Sequence, residues 1–132
     1  MTYDWIDYLQ ISEEMLNTCS KKSSNESRKE TLFRIAISRA YYAAFHKCLD
    51  YMKTYGVRLD NNGIHRDLID NIDKYIQSNQ EEVAMELDRA FRSRKKADYE
   101  DVFNGLEKEA AAMIVRVEKI ISDISIRPVG PY

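Results

Sequence analysis

Three observations predict an all-α fold, an antiparallel up-and-down bundle of four main helices plus one short helix. Apolar residues recur at three- and four-residue steps through nearly the whole chain, the signature of amphipathic helices. Only four glycines and two prolines occur in 132 residues, and both prolines lie among the last five. Before the tail, the loop around Gly56 and Gly63 is the expected break in the helical segments.

Trp5, Tyr8, Leu9, Ser12, Met15, Leu16 and Cys19 share one face, which predicts a first helix over about residues 3 to 20. The stretch KKSSNES supplies the turn. Ser27 and Glu30 have capping-box spacing, and from Leu32 to Met52 a long second helix places Phe33, Ile37, Ala40, Tyr41, Ala44, Cys48 and Leu49 on one side. Its small residues Ala36, Ala40, Ala43 and Ala44 permit close approach of a neighbouring helix. The loop YGVRLDNNG ends it, and a shorter helix follows with Ile64, Leu68, Ile72, Tyr75 and Ile76.

Ser78 with Glu81 predicts a second capping box, opening a helix that runs through Val83, Leu87, Ala90 and Phe91 to about Lys96. Asp98 is expected to cap the last helix, with Glu100 and Asp101 in its first turn. That helix carries Phe103, Leu106, Ala110, Met113, Val117, Ile120 and Ile124. One domain over residues 1 to 126 with a flexible tail over 127 to 132 is the expected organisation.

The 20 Lys and Arg against 22 Asp and Glu give a net charge of -2, so contact with nucleic acid requires a local basic patch. The acidic start MTYDWIDYLQ is unlike a secretion signal. The apolar runs YYAAF and AAAMIV fall far short of the roughly 20 residues that cross a bilayer, so a cytoplasmic protein with no membrane contact is expected. Cys19 and Cys48 have no metal-binding spacing and read as small apolar side chains. The chain has no Glu-x-x-His motif for a di-iron bundle, no phosphate-binding glycine loop and no nucleophile elbow. Asp67, Asp70 and Asp73 share a face without a histidine and read as solvated. No metal and no cofactor are expected.

Arginine, histidine and tyrosine remain. Metal-free RNA cleavage needs a proton carrier titrating near neutrality and a cation for the charged phosphorane. Arg39 and His46, in RAYYAAFH, are seven residues apart, about 20° short of two helical turns, with Tyr42 between them. The two Cα atoms stand about 10 Å apart along the axis and both side chains lean toward the N-terminus, so sharing one phosphate requires the arginine to curl back or a second subunit to help. The structural alternative is that Arg39 bridges to a carboxylate on another helix and His46 hydrogen-bonds at the core edge.

A second locus is RSRKKADYED, Arg92 to Asp101. Arg89, Arg92, Arg94 and Lys95 on adjacent turns suit a phosphate cradle. Arg94, Lys95 and Lys96 equally complement the end of a helix dipole. Tyr41, Tyr42 and Tyr99 can stack on bases, although such spacing also builds cores.

ISRAYYAAFH, a G-x-x-x-x-x-x-G loop leading into IHRDLI, and LDRAFRSRKKADYED before a long last helix together resemble the HEPN (higher eukaryote and prokaryote nucleotide-binding) domains, over about residues 5 to 122. The resemblance implies a homodimeric bundle of a toxin-antitoxin or anti-phage defence system, acting beside a nucleotidyltransferase or antitoxin protein. Many members are metal-independent endoribonucleases with an Arg-x(4 to 6)-His motif from both subunits. Here Arg39 with His46 and Arg58 with His65 meet that pattern. In the later half, where the motif normally lies, Tyr99 stands where the histidine after Arg94 would be. The expected functions are RNA or nucleotide binding, endoribonuclease action through Arg39 and His46, or a non-catalytic dimeric scaffold.

Overall fold

The computed structural model describes residues 3–21, 26–60, 62–76 and 83–125, with the side chains of 19–21 also left outside. Among the described residues five helices are present: α1 Ile6–Lys21, α2 Glu26–Lys53, α3 Ile64–Asn71, α4 Val83–Tyr99 and α5 Leu106–Ser125. α3 tightens into a 3-10 turn at Ile72–Tyr75, and among the described residues there is no strand. The predicted bundle of four main helices and one short helix is what forms.

α2 is the centre of the bundle and packs against α1, α3, α4 and α5. Its predicted apolar side supplies the core: Ile37, Ala40, Tyr41, Ala44, Cys48 and Met52 are inaccessible to solvent, against Leu68, Leu87, Met113 and Ile120 from the other helices. Burying each large aliphatic side chain stabilises the fold by about 2 kcal/mol. The alanines do as their size suggests, since the buried Ser12 hydroxyl of α1 lies 2.9 Å from the carbonyls of both Tyr8 and Ala36. A bulkier residue at 36 would hold the two backbones apart.

Several predicted boundaries move. Ser27 lies inside α2 and is not its cap: the helix already includes Glu26, whose carboxylate suits the first turn. The Ser78 and Glu81 box and the tail 127 to 132 lie outside the described residues. The Asp73 carboxylate instead accepts from the Ala84 amide at 3.0 Å, satisfying one donor at the start of α4.

Asp98 does not cap the last helix, because α4 continues to Tyr99 and holds Asp98 in its final turn. Two interactions extend it. Asp98 pairs with Arg94 one turn earlier, and Arg34 of α2 donates to the otherwise orphaned carbonyls of Ala97 at 2.9 Å and Glu100 at 2.7 Å. Glu100, Asp101 and Phe103 consequently sit in the connection. α5 starts at Leu106 after Gly105, whose φ of 72° is left-handed, and Glu107 and Glu109 take the first-turn acidic positions.

Among the described residues no helix is long and apolar enough to cross a membrane. No group of three or more His, Cys, Asp or Glu among them is placed to hold a metal ion. Cys48 is a free, buried thiol that burial pushes well above its ordinary pKa, and the Cys19 side chain lies outside the described residues.

Candidate functional site

The α2 face toward α4 carries a groove of about 340 Å³. Arg34, Ser38, Arg39 and Tyr42 line it from α2, with Ala97 and Asp98 opposite on α4. Positions 34, 38 and 42 recur at four-residue steps, so one ridge of α2 carries them all. Three guanidinium groups surround this ridge, against the single carboxylate of Asp98 in the groove wall.

Arg94 forms the base of the arrangement. Its side chain is only 13 % exposed, and one terminal nitrogen donates to the Tyr42 hydroxyl at 2.5 Å. The guanidinium lies within 6.0 Å of the ring centroids of Tyr41, Tyr42, Phe91 and Tyr99, where cation–π attraction offsets part of its desolvation. Nε approaches Asp98 to 3.2 Å but is buried without a directed hydrogen bond, so charge attraction holds that pair. Ser38 donates to the same carboxylate at 3.4 Å.

Arg34 and Arg39 have opposite fates. Arg34 is spent on structure: beyond Ala97 and Glu100 it donates to the carbonyl of Asp101 at 3.1 Å and to Glu30 at 3.1 Å. Arg39 is exposed on the groove rim, its guanidinium 5.1 Å from the Tyr8 ring centroid. The bridging role that the spacing offered to Arg39 thus belongs to Arg34, through backbone carbonyls and not a distant carboxylate.

His46 lies on the same flank as Arg39, but α1 fills the space between them. Trp5 stacks face to face on the imidazole, centroids 3.5 Å apart and planes at 10°, and Tyr8 packs edge-on against Trp5 at 4.9 Å. Asp4 fixes this segment by accepting from the Ile6 amide at 3.1 Å and pairing with Lys47 at 3.0 Å. Burial lowers the His46 pKa; Asp50 opposes the shift and Lys53 adds to it.

Arg58 and His65 do not meet either. Arg58 is exposed in the loop before α3, whereas His65 turns inward, with Nδ1 2.5 Å from the Tyr41 hydroxyl and its ring stacked on Phe91. Burial lowers the His65 pKa, and the nearby positive charge of Arg94 and His46 lowers it further. Burial raises the Tyr41 pKa, so the phenol keeps its proton while it shares a hydrogen bond with the His65 ring nitrogen. Both imidazoles pack against Phe45, at 5.0 and 4.3 Å. The two spacing-derived pairs therefore separate, while their histidines converge on one aromatic cluster with Tyr42 and Arg94.

The expected four-residue phosphate cradle is divided. Arg94 points inward, and Arg89 turns to Glu86 at 3.6 Å. Arg92 pairs with Asp88 at 3.1 Å while remaining largely exposed. Lys95 lies 4.8 Å over the Phe91 ring, and with Arg92, Lys96 and the 74 % exposed Tyr99 it lines a separate outer depression. Sequence reasoning missed Arg34 and Ser38. Their recurrence with Tyr42 at i, i+4 and i+8 is the signal that identifies the groove ridge.

In comparisons with known proteins, the family model described as HEPN domain matches residues 7–127. Neither the curated proteins nor the solved structures gave a match. The match spans the five helices and the groove between α2 and α4, and on that ground the chain belongs to the HEPN domain family.

Proposed function

We propose that this chain is an RNA- or nucleotide-binding HEPN protein of a prokaryotic toxin-antitoxin or anti-phage defence system, holding phosphate in the groove between α2 and α4. The observation that carries this reading is the local excess of guanidinium groups around Tyr42 and Ser38 in a chain of net charge -2. Arg94 and Asp98 neutralise each other, and Arg34 spends its donors on α4. Arg39 is left as the exposed cation on the rim, the group that meets an incoming phosphate. The defence setting, a homodimeric state and a partner nucleotidyltransferase or antitoxin are what family membership suggests for this chain.

Binding is favoured over cleavage because Arg39 and His46 converge on no shared opening. Fluorescence anisotropy of a labelled single-stranded RNA, with AMP as competitor, tests the reading. Arg39→Ala is expected to weaken RNA binding about tenfold, or about 1.4 kcal/mol, and to reduce the salt slope by about 0.7, the loss of one phosphate contact. Competition by AMP would point to a mononucleotide ligand. Equal affinity and equal salt slope in the variant would overturn the assignment.

A second reading, a metal-independent endoribonuclease, draws on the lowered pKa of the half-buried His46 and on Arg39 along the same helix. It predicts RNA cleavage that persists in EDTA and disappears in His46→Ala and Arg39→Ala. Intact RNA after prolonged incubation with the wild-type chain removes it.

A further inference from the structure

Tyr99, the last residue of α4, and Val102 in the connection to α5 are 74 % and 70 % exposed, the highest values among the large hydrophobic side chains described. Neither faces the groove to which ligand binding was assigned. Each borders a depression of its own, and the two depressions carry opposite charge. Arg92, Lys95 and Lys96 surround the one beside Tyr99, with Glu100 the single acid. Glu26, Glu30, Asp101 and Glu107 rim the one beside Val102, where Lys29 is the single base and Phe33, Phe103 and Leu106 supply apolar surface. Lys96 spans them, its Nζ 5.8 Å from the Phe103 ring centroid, so the surface is continuous.

A face with a basic half that carries an exposed aromatic side chain and an acidic half that carries a cavity is complementary to itself under a two-fold rotation about the line between the halves. We infer that this face pairs two copies of the chain, with Tyr99 of each copy entering the acid-rimmed cavity of the other. That cavity, about 420 Å³, has room for a tyrosine side chain. Lys95 and Lys96 then oppose Glu26 and Glu107 twice, once on each side of the axis. Burial of the tyrosine supplies most of the affinity, as aromatic anchors do at interfaces, and the charge pairs fix orientation. An unrelated basic partner or RNA would each use only one half of the face; a second copy uses both.

Homodimerisation was suggested above by family membership; the inference names the face and stands apart from the ligand reading, because Arg39 is not in it. Sedimentation velocity from about 1 to 100 µM chain, spanning the affinities of transient and stable pairs, tests it. Wild type is expected to dimerise, with Tyr99→Ala weakening the dimer at least about tenfold. The double variants Lys95→Glu with Lys96→Glu and Glu26→Lys with Glu107→Lys should each be monomeric and regain a dimer when mixed. All these residues are exposed, and circular dichroism confirms that each variant is folded. A wild-type monomer throughout the range, a dimer indifferent to Tyr99→Ala, or reversed-charge variants that do not complement each other would overturn the inference. Arg39→Ala should weaken RNA binding about tenfold and leave the dimer intact, so the two readings fail separately.

Discussion

Arg34 and Arg39 lie five residues apart on the same helix and border the same groove, yet they do different work. Arg34 directs its guanidinium at the C-terminal carbonyls of α4, where a cation both satisfies orphaned acceptors and complements the helix dipole. Arg39 touches only the face of Tyr8 among the contacts described and otherwise meets solvent. An arginine whose donors are consumed by the fold is a structural clamp. One whose donors remain open beside it is a recognition group, and residue type or spacing alone does not separate the two.

Stability gives the largest contrast between them. Arg34→Ala removes hydrogen bonds to at least three main-chain carbonyls and should cost about 3 kcal/mol in urea denaturation, whereas Arg39→Ala should stay within about 0.5 kcal/mol. Equal losses would erase the distinction. Arg94→Ala comes next, at about 2 kcal/mol, because it strands the Asp98 carboxylate and deprives the Tyr42 hydroxyl of its donor. Arg94→Met, which keeps the volume without the charge, should recover part of that loss if packing among the rings contributes.

A smaller effect separates the two histidines. The His65 pKa is depressed in the folded chain, so the unfolded chain binds protons more readily below the ordinary value of 6.5. Its contribution is complete above pH 6.5 and is lost as pH falls through the depressed folded value. Stability should therefore decline on acidification below pH 6.5, and Tyr41→Phe, which removes the hydrogen bond to His65, should flatten part of that decline. A slope of the opposite sign would refute the lowered His65 pKa. Smallest of all is Trp5→Ala: uncovering His46 should raise its pKa toward the ordinary value, measurable by the C2 proton shift in NMR, with little change in stability beyond the lost ring contacts.

The helices were largely legible in the sequence because the three- and four-residue recurrence of Ile37, Ala40, Tyr41, Ala44 and Cys48 leaves a single buried side. The end of α4 was not. Asp98 has the chemistry of a helix cap, and only the arrival of Arg34 from more than sixty residues earlier shows why the helix continues past it. Side-chain donors aimed at main-chain carbonyls leave no trace in residue spacing.

The site was legible in its parts and not in its pairings. Arg39, Tyr42 and Arg94 do gather around one groove, but the spacing that linked Arg39 to His46 could not register that Trp5 and Tyr8 would occupy the intervening space. Those two aromatics had been read as members of the apolar face of α1, and they are only half buried. Likewise His65 gave up its partnership with Arg58 for Tyr41 because the ring turns inward, where burial disfavours its charged form and the phenol offers a hydrogen-bond partner.

Side-chain NMR of the arginine Nε–H groups during titration with a short single-stranded RNA tests the central claim most directly. The account predicts that the Arg39 resonance shifts and broadens while that of Arg34, already committed to α4, stays in place. A shifted Arg34 with an unmoved Arg39, or perturbations confined to Lys95, Lys96 and Tyr99, would contradict it.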